Sequence, residues 1–152
     1  MYPLTHFLFT LVFAYTLFPF EFAVVIAVLS VLFDLDHFLY HLTKKKNPNF
    51  IVCWNNAVLG KEHERTFIHH LPGFLVVSGL VFFIAFLNST AALAIAIAYY
   101  THMFLDYVHF KPKETKKKSK WFGFLFAPTL YEIFLDLILV IILFFFSFSH
   151  LS

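Results

Sequence analysis

Three ionisable side chains crowd the end of an apolar run at Phe33-Asp34-Leu35-Asp36-His37, where Ser30 is the only polar residue between Phe22 and Leu32. A charged side chain within hydrocarbon is unfavourable by about 2.5–3.5 kcal/mol on insertion scales, so such groups usually mark function. Imidazole and carboxylate together suit zinc, manganese or iron, whereas carboxylates alone suit magnesium. Similar groups recur at Thr5-His6, at His69-His70 and at His102-x-x-x-Asp106 with His109 behind it. Cys53 is the lone cysteine, which removes a disulfide framework and a cysteine zinc motif. A mixed His/Asp set without thiolates matches one- or two-metal hydrolytic sites, where the ion lowers the pKa of water.

The elements that must position these groups are apolar helices. The chain has 152 residues, is 61% hydrophobic with 24 Phe, and is only 13% charged. Soluble domains are about 45–50% apolar and about 25% charged, so the composition predicts an all-α polytopic membrane protein forming a single integral membrane domain over 1–152. Five transmembrane helices are expected near 3–18, 22–41, 67–87, 91–110 and 129–148. A short interfacial helix is expected in the polar Thr43–Leu71 insert, with Trp54 at headgroup level. The N-terminal segment has no basic start and no small-residue cleavage site, so it reads as a retained helix.

Nine of the eleven basic residues lie in two lysine runs, Lys44–Lys46 and Lys111–Lys120. Beside membrane spans such runs act as topology signals and contacts to anionic lipid, so no nucleic acid partner is expected. The positive-inside rule then sets a cytoplasmic N-terminus for the multi-pass chain. That topology brings His6, Asp34, Asp36, His37, His69, His102, Asp106, Glu132 and Asp136 to one leaflet. Asp34, His37 and His41 share a helical stripe by steps of three and four, as do His102, Asp106 and His109. Asp36 points about 100° off its stripe. Lone histidines at helix ends, His41 among them, read as interfacial. Glu132 and Asp136 are open between a site role and pairing at a helix start.

The order Thr5-His6, Asp34-Leu35-Asp36-His37, Glu64-Arg65-Thr66-Phe67-Ile68-His69-His70 and His102-x-x-x-Asp106 resembles the YdjM-like membrane-bound metal-dependent hydrolases. The resemblance runs from about Thr5 to Asp106. It implies a small inner-membrane helical protein with His6, Asp34, Asp36, His37, Arg65, His69, His102 and Asp106 as site residues. On that basis a divalent metal, zinc first, is expected on His6, Asp34, His37, His69, His102 and Asp106. Asp36 is expected as ligand or general base, and Arg65 as the holder of a substrate phosphate or carboxylate. The depth of the site favours an amphiphilic or phosphoester small-molecule substrate drawn from the lipid bilayer. Two other classes compete: a metal or proton transporter, and a non-catalytic membrane protein with a structural polar cluster. Carriers place polar groups near the midplane, and the external halves Phe74–Leu87 and Ala91–Ala98 carry almost none.

Overall fold

The computed structural model describes residues 3–44, 46, 48–59, 67–108, 119–121, 124–126 and 129–149. The described fold is helical: α1 (Pro3–Tyr15), α2 (Phe20–Leu32), α3 (Leu35–Lys44), α4 (Phe50–Leu59), α5 (Leu71–Leu87), α6 (Ser89–Val108) and α7 (Leu130–Ser149). A 3-10 turn, Phe67–His69, precedes α5. Between α6 and α7, strands β1 (Ser119–Trp121) and β2 (Phe124–Phe126) form an antiparallel hairpin, with Lys120 opposite Leu125. The last residue of the Lys111–Lys120 run therefore lies in paired backbone.

Helix ends follow local chemistry. Asn88 Oδ1 accepts the Ala91 N–H at 2.9 Å, so it caps α6, while its own N–H closes α5 on the Ile84 carbonyl at 2.8 Å. Asn49 caps α4 in the same way through Val52 N–H. Thr129 and Glu132 make a reciprocal capping box on α7: Thr129 N–H and hydroxyl donate to Glu132 Oε2 at 2.7 and 2.9 Å, and Glu132 N–H donates to Thr129 Oγ1 at 3.2 Å. That accounts for Glu132.

The expected single helix over 22–41 is instead two helices broken at Phe33-Asp34. At the break, Asp34 and Asp36 N–H groups bond three residues back, to Val31 and Phe33 carbonyls, rather than four. Two helices, Ser89–Val108 and Leu130–Phe148, are long and apolar enough to cross a membrane. The other apolar helices, α1, α2 and α5, have 13, 13 and 17 residues, about 20–26 Å of rise against roughly 30 Å of hydrocarbon. Helix length alone therefore supports two spans, not five.

The core lies where α1, α2 and α6 meet. Leu11, Ala14, Ala23, Ile26, Ala27, Ala94, Ile97 and Ala98 are buried together there. Five of these eight are alanines, which let helix axes approach closely. α7 lies against α1, and α5 against α6. Their outer faces expose large apolar residues, including Phe82, Phe83 and Phe86 on α5 and Phe134, Phe144 and Phe145 on α7.

Candidate metal centre

Five segments deliver the cluster. α1 brings His6, the α2–α3 break brings Asp34, the first turn of α3 brings Asp36, the 3-10 turn brings His69, and α6 brings His102 and Asp106. One turn further into α1, Thr10 donates its hydroxyl to Ser30 of α2 at 2.9 Å and lies 2.7 Å from the Thr101 hydroxyl of α6. These buried contacts tie the three helices beside the residues that carry the site.

The 3-10 turn is held by two residues that sequence reasoning did not single out. Tyr99, fully buried on α6, donates its hydroxyl to the Ile68 carbonyl at 2.9 Å. Its ring also meets Phe33 edge-on at 5.2 Å, so one side chain touches the carriers of both His69 and Asp34. Gly73 lets the turn fold onto α5, because a Cβ there would fall 2.0 Å from the Phe67 carbonyl oxygen. Pro72-Gly73, with Gly73 three residues beyond the His69-His70 pair, was the available signal for this close approach.

The imidazoles face one another. His69 Nδ1–H donates to Asp36 Oδ2 at 2.6 Å, a tautomer that follows from the acceptor-only carboxylate. His69 Nε2 then points its lone pair at His102 Nε2, 3.0 Å away. Asp106 Oδ2 lies 3.5 Å from His69 Nε2, and Asp34 Oδ1 lies 3.7 Å from His102 Nε2. On the other side, Asp106 Oδ1 is 3.4 Å from His6 Nε2, and the His6 and His102 rings stack with centroids 4.1 Å apart. Neighbouring ligands of a four- to six-coordinate ion with 2.0–2.2 Å bonds stand about 2.8–3.6 Å apart. The observed separations fall within a few tenths of an ångström of that range. These buried His/Asp groups can hold a metal ion.

Burial differs across the cluster. His6, His69 and His102 side chains are sealed from solvent, whereas the Asp34 side chain keeps 22% of its surface exposed. Burial alone lowers the His69 pKa, but the bond and charge of Asp36, with Asp106 and Asp34 behind it, raise it overall. Burial pushes the nearby Cys53 thiol up, and the Asp36 charge adds to this, which makes the thiol a poor nucleophile.

His6, Asp34, Asp36, His69, His102 and Asp106 therefore converge. Arg65 lies outside the described residues, as does the side chain of His37. Asp36, expected as ligand or base, has its Oδ2 hydrogen-bonded to His69 Nδ1. His41, read as interfacial, is 1% exposed. Asp136 lies on α7 with Oδ1 buried, and the Thr5 side chain of α1 hydrogen-bonds to its carboxylate. No protein-family model, curated protein or solved structure matches the chain.

Proposed function

We propose that this protein is a membrane-embedded, metal-dependent hydrolase, as its motif order resembling the YdjM-like proteins suggests. The observation that carries the reading is the face-to-face pair His69 Nε2 and His102 Nε2 at 3.0 Å, flanked by Asp106 and Asp34 and backed by Asp36. A carboxylate behind a histidine is the usual outer partner of a ligating imidazole.

Asp34, His69, His102 and Asp106 are the ligands in this proposal, with zinc first and manganese, iron or magnesium as alternatives. A divalent ion supplies Lewis acidity and lowers the pKa of water to about 7. Asp36 fixes the His69 tautomer. Asp34, the most exposed of the four liganding groups, also stands where incoming water and substrate arrive. In a phosphoester substrate the water oxygen would bond to phosphorus as the ester P–O bond breaks. The water would lose a proton and the leaving alcohol would take one up. Arg65 is proposed to hold the phosphate.

The membrane assignment extends the two candidate spans to a polytopic chain in the inner membrane, with its N-terminus in the cytoplasm. Its support is the apolar surface on the short helices: Val25, Val28 and Leu29 on α2 and Leu75, Val76 and Phe86 on α5 are all exposed. Water-facing domains rarely leave such continuous apolar faces bare, and lipid tails would cover them. A headgroup phosphoester of an amphiphile is then the substrate class proposed.

Elemental analysis of purified, detergent-solubilised protein tests the reading. Bound divalent metal is expected in the wild type and is expected to disappear in the Asp34→Ala/His102→Ala double variant. Metal content unchanged by that double substitution would sink the assignment. A screen of phospholipid and soluble phosphoester substrates on the metal-loaded wild type would then define the chemistry.

A further inference from the structure

We propose that the cluster holds two divalent cations, bridged by the Asp106 carboxylate, with His6 as the histidine of the second position. This rests on the metal reading above and adds the number of ions and the separate task of His6.

The ligand atoms gather as two groups rather than one. Asp34, His69 and His102 form the first; His6, His102 and Asp106 form the second; within each, the atoms lie within 4.8 Å of one another. Two ligand atoms on a single ion cannot stand further apart than twice the bond length, roughly 4.0–4.4 Å for nitrogen and oxygen ligands. Asp34 and His69 belong to the first group alone, His6 and Asp106 to the second alone, and His102 to both, so the five residues offer two centres of coordination.

Asp106 joins the groups. Its Oδ1 faces His6 Nε2 at 3.4 Å, while its Oδ2 faces His69 Nε2 at 3.5 Å. A carboxylate whose two oxygens address two different histidines has the disposition needed to span ions about 3.5–4 Å apart, the spacing of two-metal hydrolytic sites.

His6 supplies the independent observation. It is fully buried; its Nδ1 has no hydrogen-bond partner among the described residues, and its Nε2 has only the Asp106 carboxylate, at 3.4 Å. Buried polar groups in native folds are almost always satisfied, so an exception calls for an unseen partner. Stacking on His102 with an interplanar angle of 21° holds the ring in place, with its Nε2 edge beside Asp106. A cation at that edge satisfies Nε2 directly. The second position has fewer protein groups than the first, so it binds more weakly and fills second.

The test uses the full chain in detergent, any affinity tag removed, stripped with a chelator and reloaded with Zn(II) or Mn(II). Calorimetry and elemental analysis are expected to show two ions per chain, the second at least tenfold weaker. Mn(II)-loaded protein is expected to show the paramagnetic resonance of a coupled pair. His6→Ala, or His6→Gln if the alanine variant does not fold, is expected to retain one ion and lose the coupled signal. One ion per wild-type chain at saturation, with an isolated-ion spectrum, overturns the pair while leaving the metal reading intact. No ion at all overturns both. Two ions retained in a folded His6 variant overturns the assignment of His6.

Discussion

The two ends of the same three helices are made of opposite materials. Towards one end, α1, α2 and α6 meet through Leu11, Ala14, Ala23, Ile26, Ala27, Ala94, Ile97 and Ala98. Towards the other they bring His6, Asp34, His102 and Asp106 together, with the hydroxyls of Thr10, Ser30 and Thr101 tying the helices in between. The apolar end packs by shape alone and can stabilise the bundle. The polar end gathers like-charged carboxylates in a buried space, which is unfavourable without a cation. Stability and function are thus assigned to different lengths of the same helices.

If that division holds, substitutions at the two ends separate in what they change. The largest effect on stability is expected from Ile26→Ala in the apolar end, a loss of about 2–5 kcal/mol in unfolding free energy, with metal affinity per folded molecule unchanged. Chemical denaturation in detergent, paired with metal titration, checks both halves of that statement. Asp36→Asn is expected to do the converse. It leaves the unfolding midpoint of metal-loaded-site residues' helices largely in place but weakens metal binding about 10–100-fold, because His69 loses its anionic partner. A fall in stability without loss of affinity would make Asp36 a packing residue.

Tyr99→Phe lies on the boundary and sharpens the comparison. It removes the hydrogen bond to Ile68 while keeping the ring, so a cost of about 0.5–1.5 kcal/mol is expected. Because the bond holds the turn bearing His69, that cost is expected in metal affinity as well as in thermal stability. The smallest effect concerns pH. The His69 pKa is raised in the folded chain, so in metal-free protein its proton stabilises the fold fully below the unfolded value of about 6.5. That contribution is lost as pH rises through the folded value. Metal must displace the same proton, so affinity is expected to rise over the window in which metal-free stability falls. Thermal scans and metal titrations between pH 6 and 8 check the opposed slopes, and Asp36→Asn is expected to flatten them.

A second contrast, between α6 and α7, shows how little helix composition says about role. Both can cross a membrane, yet 44% of the most apolar stretch of α6 is buried against 11% of that of α7. Both carry carboxylates. Asp106 joins the cluster, whereas Glu132 closes a capping box with Thr129. The Thr-x-x-Glu spacing that distinguishes Glu132 was present in the chain, and the sequence reading left it open.

The sequence by itself determined the helical class and the residue types available for chemistry. Imidazoles and carboxylates within apolar runs stand out from composition alone, and their intervals place them on helices without any coordinates. Only the tertiary structure decided which atoms meet. The break at Phe33-Asp34 depends on backbone bonding that the apolar run of α2 conceals. The turn of Asp36 towards His69, the hold of Tyr99 on Ile68 and the closeness of His69 to His102 join residues 31 to 33 positions apart. Helical periodicity describes neighbours three and four residues away. It carries no information about a ring on another helix, where packing distance and tautomer decide what touches.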